Sequence, residues 1–212
     1  EAFYLKAWWT DETILHIFPH WNLQGHEGEE VDVWVYSNCD EVELIVNGKR
    51  LGRKEMPKNG HLEWKAVYKP GYVKAVGYKN GKRIKVEKIE TTDVATRIVL
   101  DADRTSLVPN NQDVAVCKIE LQDKKKRFVP DACLNLKLKV SGPIRILGVG
   151  NGDPAYQTTE RPADSNARTY EMKSFNGLAQ VLLQSTKETG EAILTIEAEG
   201  MEPVMRKILI HP

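Results

Sequence analysis

Three Asn-Gly pairs, Asn47-Gly48, Asn59-Gly60 and Asn80-Gly81, punctuate the first half of the chain. Such a pair supplies the positive φ angles that a tight two-residue β-hairpin demands. Set between apolar runs, these pairs constrain the region to a meander of short antiparallel strands. The first is expected to join a strand over 42–46 to a short return through Leu51, the second to precede a strand over 62–68, and the third to join 72–78 with 84–89. The runs alternate accordingly. Val31, Val33 and Val35 oppose Asp32, Trp34 and Tyr36, and Leu62, Trp64, Ala66 and Tyr68 oppose Glu63, Lys65 and Val67, the two-residue period of a half-buried strand. No window keeps a helical period, so an all-β fold is expected.

A second set of strands is expected over 95–100, 114–121, 133–140, 144–149, 178–183, 192–198 and 204–210, separated by turn clusters such as Pro109-Asn110-Asn111, Ser141-Gly142-Pro143 and Glu188-Thr189-Gly190. Seven strands fit one sandwich. The polar stretch 150–174 reads as a long loop, a length that usually serves a function or packs on a neighbour. A boundary falls at Thr91-Thr92-Asp93. With roughly 100 residues per module, the 212 residues are accounted for by two tandem immunoglobulin-like β-sandwich domains, 1–91 and 92–212, without room for a catalytic domain.

Charge and cysteine usage exclude several classes. The net charge is +0, and the run Lys124, Lys125, Lys126, Arg127 reads as a solvated hairpin tip, so no nucleic acid is expected as a partner. No apolar stretch approaches the ~20 residues of a membrane-spanning helix. Cys39, Cys117 and Cys133 are too few and too scattered for a disulfide framework or a zinc site. Cys117 and Cys133 could approach within one sandwich, although buried free thiols are the simpler reading. The start at Glu1 without methionine, followed by Ala2, Phe3, Tyr4 and Leu5, carries no signal-peptide pattern and points to an excised or processed product.

All five tryptophans, Trp8, Trp9, Trp21, Trp34 and Trp64, lie in the first module. Trp34 and Trp64 read as core or inter-module contacts. Trp8, Trp9 and Trp21 are the candidates for an exposed carbohydrate-binding role, since indole faces stack on sugar rings. The stretch His20 to Glu27, with His26, His16, Glu29 and Glu30 nearby, lacks the ligand spacing of a zinc site and reads as a structural turn, so neither metal nor cofactor is assigned. Glycoside hydrolysis needs a carboxylate pair, but Glu41, Glu43, Glu63, Glu197 and Glu199 fall on alternating strand positions expected to face solvent. No catalytic residue is assigned. The loop Gly148-Val149-Gly150-Asn151-Gly152-Asp153-Pro154 reads first as a strand-ending turn, with Asn151 and Asp153 placed to face a ligand or a module.

The ordered segments Ile17-Phe18-Pro19-His20-Trp21-Asn22, Glu27-Gly28, Val33-Trp34-Val35-Tyr36-Ser37-Asn38 and Val42-Glu43-Leu44-Ile45-Val46-Asn47-Gly48-Lys49-Arg50-Leu51-Gly52 resemble the immunoglobulin-like module that follows the catalytic barrel in bacterial glycoside hydrolase family 2 β-galactosidases. The 148–154 loop resembles that of the last sandwich module in the same enzymes, so the resemblance spans nearly the whole chain. It departs at Leu23, where the family often carries a second tryptophan. The resemblance implies a C-terminal accessory region whose partner is an upstream (β/α)₈ barrel of the same polypeptide, with the catalytic glutamates in that barrel. It also implies a bacterial enzyme acting on β-galactosides or related β-glycosides with retention, a periplasmic or secreted location, and possible glycan contact.

Overall fold

The computed structural model describes residues 2–155, 160–164 and 166–212, so part of the stretch 150–174 lies outside the described residues. The chain divides into two compact units, Glu1–Thr92 and Asp93–Pro212, each an immunoglobulin-like sandwich of predominantly antiparallel sheets.

In the first unit, strands β1 (Leu15–Phe18), β2 (Glu30–Ser37) and β5 (Leu62–Val67) form one sheet in the order β1-β2-β5. Strands β3 (Glu41–Val46), β4 (Lys49–Glu55), β6 (Tyr72–Lys79) and β7 (Lys82–Glu90) form the other, ordered β4-β3-β6-β7. Alternation puts Leu15, Ile17, Val33, Val35 and Trp64 of the first sheet against Val42, Leu44, Val46, Val73 and Ala75 of the second in one core. Two of the Asn-Gly pairs form the expected hairpins. Asn47 and Gly48 take φ of 47° and 84°, and Asn80 and Gly81 take 51° and 73°, closing the pairs Val46↔Lys49 and Lys79↔Lys82.

Asn59-Gly60 departs from the hairpin pattern. β4 pairs with β3 while β5 pairs with β2, so the segment crosses from one sheet to the other. Asn59 has φ 54°, but Gly60 does not enter the left-handed region, and its N–H donates to the Pro57 carbonyl at 3.2 Å in an ordinary turn. The dipeptide permits a hairpin; burying the Leu62, Trp64 and Ala66 face beside β2 decided against one.

A helix, α1 (Ala2–Trp9), occurs where the sequence shows no helical period. Eight residues are too few to display one, and too few to hold as a helix in water without packing. Tertiary contacts hold it instead. The Phe3 ring stacks on His16 at 3.7 Å, Tyr4 meets Tyr36 edge-on at 5.8 Å, and the Tyr4 hydroxyl donates to the Asn59 carbonyl at 2.7 Å.

The second unit pairs a sheet β12-β14-β10-β8 with a sheet β13-β11-β15-β16-β9. The first comprises β8 (Arg97–Ala102), β10 (Val114–Gln122), β12 (Ile144–Gly150) and β14 (Leu178–Ser185). The other comprises β9 (Ser106–Leu107), β11 (Asn135–Ser141), β13 (Thr169–Lys173), β15 (Gly190–Ala198) and β16 (Val204–Ile210). Ile119, Leu121, Leu138, Leu183, Leu194 and Ile196 are the centre of an aliphatic core. Two strands are additional to the seven expected. β9 is two residues long and runs parallel to β16. β13 lies inside the stretch expected as loop, where the buried Met172 and the half-buried Tyr170 on the same face anchor an edge strand whose alternate side chains, Thr169, Glu171 and Lys173, are exposed.

The three cysteines are free. Cys39 and Cys117 are buried, and burial pushes the Cys117 thiol up to about 11. Cys133 departs from the expected burial. It sits on an exposed turn ahead of β11, its thiol donating to the Ser174 carbonyl at 3.1 Å.

Candidate functional site

The tryptophans separate sharply by position. Trp21 is only 1% exposed, packs edge-on against Tyr68 at 5.1 Å and donates its indole N–H to the Lys69 carbonyl at 3.1 Å. It is a core residue, and its expected exposed role is corrected: a ring this large helps fill the sandwich, and its one polar atom finds a backbone acceptor. Trp64 is likewise in the core. Trp9 is 77% exposed, and Trp8 is half-buried with its indole N–H enclosed and unbonded among the described residues.

An aromatic face lies beside the helix that carries these two residues, which meets it through Phe3 and Tyr4. The register His16↔Tyr36 and Phe18↔Trp34 places four rings on the side of the β1-β2-β5 sheet turned away from the core. Trp34 contacts Phe18 at 6.3 Å and His61 at 4.7 Å. Farther along the same face the register brings Asp32 opposite Lys65 and Glu30 opposite Val67, so apolar character is concentrated toward α1.

The turn after β1 is held by its own polar atoms. His20 Nδ1 accepts the Asn22 N–H at 3.2 Å, and His26 Nδ1 meets Glu29 Oε2 at 2.7 Å. Asn22, part of the stretch expected as a structural turn, ties that turn to a distant part of the unit. Its Nδ2 donates to Thr92 Oγ1 at 2.7 Å and its Oδ1 accepts the Thr92 N–H at 2.9 Å. Thr91 Oγ1 donates to the Trp21 carbonyl at 2.6 Å. His20-Trp21-Asn22 thus clasps the residues that follow β7, a partner seventy positions away in the chain and invisible to local spacing. No group of three or more side chains suited to hold a metal ion occurs among the described residues.

One of the acids expected on a solvated face is buried. Glu43 is 8% exposed, ion-paired with Arg50 and accepting the Tyr78 hydroxyl at 3.2 Å. Arg50 and Tyr78 lie over the outer side of β3, and Arg53 stacks on the Tyr78 ring at 3.7 Å. In the second unit Glu197 meets Lys139 at 2.5 Å and Glu171 meets Lys137 at 3.7 Å. These carboxylates are engaged in structural ion pairs.

Asn151 and Asp153 lie beyond the end of β12. Asn151 Nδ2 donates to the Lys173 carbonyl at 3.1 Å and its Oδ1 accepts the Asp153 N–H at 3.0 Å. Asp153 Oδ1 accepts the Ala155 N–H at 2.9 Å. Asn151 is therefore committed to the turn. Asp153 also borders an open groove of about 910 Å³ whose lining mixes polar side chains such as Asn135, Lys173 and Glu199 with the apolar Leu136, Met172 and Ala198.

The Lys124–Arg127 tip is solvated at its lysines, while Arg127 folds back on Asp123, which is fully buried. Burial raises the Asp123 pKa. The Arg127 guanidinium and the backbone N–H groups of Arg127, Asp93 and Lys125 outweigh it, holding the carboxyl down at about 2.

Residues 98–207 match the family described as glycoside hydrolase family 2 C-terminal domain 5, and residues 28–85 match a domain of unknown function, DUF4982. The β-galactosidase BoGH2A of Bacteroides ovatus is 36% identical over 212 residues, covering 98% of this chain and 24% of that protein. A putative β-glucuronidase of Formosa agariphila is 26% identical over 92% of this chain and 19% of its own length. Among solved structures, a glycosyl hydrolase family 2 member from Bacteroides cellulosilyticus superposes with a TM-score of 0.89 at 28% identity, over 100% of this chain and 30% of that one. A β-glycosidase from Bacteroides vulgatus superposes at 0.86 with 31% identity, over 97% of this chain and 26% of that one. The chain spans about a quarter or less of the length of these curated relatives.

Proposed function

The chain belongs to the glycoside hydrolase family 2 C-terminal domain 5 family, and on that premise we propose that it is the non-catalytic accessory region of a longer bacterial enzyme acting on β-galactosides or related β-glycosides. The observation that carries this reading is that both units, in order, align inside one much longer β-galactosidase. The two sandwiches, taken as modules 1–91 and 92–212, pack on and stabilise a catalytic (β/α)₈ barrel that precedes them in the polypeptide and carries the catalytic glutamates. A periplasmic or secreted location accompanies this reading. No helix of the described residues is long and apolar enough to cross a membrane.

The test uses the full-length protein on chromogenic β-galactosides and β-glucuronides, intact and with this region deleted. Cleavage by the intact protein, with a lower unfolding temperature or weaker activity after deletion, is the expected result. An intact protein that cleaves neither, or a truncated one that keeps full activity and stability, refutes the reading. The exposure of Trp9 also fits a glycan platform built on Trp8 and Trp9, for which galactose-containing oligosaccharides should quench tryptophan fluorescence. An unchanged signal removes that alternative.

A further inference from the structure

Helix α1 is apolar on two opposite faces. Phe3, Tyr4, Ala7 and Trp8 turn toward the unit's own sheet, where Phe3 and Tyr4 meet His16 and Tyr36 and Ala7 is buried. Ala2, Leu5, Lys6 and Trp9 follow the i, i+3, i+4, i+7 spacing that forms the other face, and all four are exposed, Leu5 to 38% and Trp9 to 77%. Lys6, the charged residue of that face, has its ammonium on Glu12 at 2.9 Å. Phe3, still 46% exposed, forms the rim. A helix that is apolar all round is the pattern of a buried helix rather than a surface one.

The chemistry of the outward face selects its occupant. A sugar-binding platform needs hydrogen-bonding groups around the stacking ring to fix the hydroxyls. The neighbours of Trp9 on this face are Ala2, Leu5 and a lysine already paired. An apolar protein surface fits them. Most of the length of the curated relatives lies outside this region, and a preceding segment would be tethered beside α1 at high effective concentration.

Resting on the accessory-region reading, we infer that the Ala2–Leu5–Trp9 face of α1 is a docking surface, covered in the full-length protein by the catalytic domain of the same polypeptide. Trp9 is a structural anchor of that contact.

Hydroxyl-radical labelling of the native full-length protein, referenced to the same protein unfolded in denaturant, tests this directly. Trp9 is expected to be protected by about tenfold or more, while Met205, 66% exposed, labels near its unfolded rate. Free labelling of Trp9 overturns the inference, and so does labelling that is free without sugar and suppressed by a galactose-containing oligosaccharide. The readout is independent of catalysis: an active enzyme with a freely labelled Trp9 loses only the docking surface, whereas a protein that cleaves no glycoside loses the catalytic domain as the occupant even where Trp9 is protected. As a second measurement, Trp9→Glu in the full-length protein should lower its unfolding temperature.

Discussion

The two units solve the same packing problem with different side chains. The first fills its sandwich around Trp21 and Tyr68, and the second around Leu107, Ile119, Leu121, Leu136, Leu138, Leu183 and Leu194, all almost wholly buried. Their outer faces differ in the same sense. The first unit carries rings on the outside of its β1-β2-β5 sheet and an apolar stripe on α1, while the β11, β13 and β15 face of the second is laced with Lys137–Glu171 and Lys139–Glu197 pairs. Apolar outer surface calls for a partner, whereas paired charges are at home in water. The contrast agrees with the docking surface inferred on α1 of the first unit.

The largest expected effects come from the two cores. Trp21→Ala should cost about 3–5 kcal/mol and Leu194→Ala about 2–5 kcal/mol, read by urea unfolding followed separately in each unit by hydrogen exchange. Each substitution should lower protection mainly in its own unit. Equal loss in both would break the picture of two separate cores.

Next comes the buried carboxylate at the basic tip. Asp123→Asn removes a charge-assisted network and should destabilise the second unit by about 1–3 kcal/mol. Because the folded carboxyl titrates at about 2 against an ordinary 3.8, its contribution is complete above the unfolded value and is lost as pH falls through the folded one. The gap between wild type and variant should therefore close on acidification across that window. A gap that stays constant on acidification contradicts the assignment.

Two glycines offer a finer comparison. Gly81 has φ +73° with open space where a Cβ would go, while a Cβ on Gly142, at φ +77°, would lie 2.2 Å from the Glu191 carbonyl oxygen. Gly81→Ala should cost about 1 kcal/mol, the conformational strain alone, and Gly142→Ala distinctly more, by chemical denaturation. The smallest effect is expected for Trp9→Ala in the 212-residue chain by itself, within about 0.5 kcal/mol, because Trp9 makes few contacts there; a large loss would show that its outward face already supports the first unit.

Much of the architecture was legible in advance, and the failures share one feature. Alternation marked β2 and β5, and Asn47-Gly48 and Asn80-Gly81 marked their hairpins. Asn59-Gly60 misled because the same dipeptide also serves a sheet-to-sheet crossing. Trp21 and Glu43 misled because burial was inferred from neighbours in sequence, while Lys69, Tyr78 and Arg50 supply the actual surroundings. At the candidate sites, the exposure of Trp9 was anticipated. The clasp of Asn22 on Thr92 was not, since an asparagine in a polar turn looks the same whether it faces solvent or a distant strand end.

Backbone sterics and the two-residue period of a strand are local properties, so the sequence by itself determined that this chain folds as short antiparallel strands in two successive units. Which sheet received β5, which ring became core and which stayed outside, and whether a short apolar segment at the start became a helix were decided by tertiary structure. Those outcomes depend on side chains brought together from distant positions, where burial of apolar surface and satisfaction of buried polar atoms outweigh local preference.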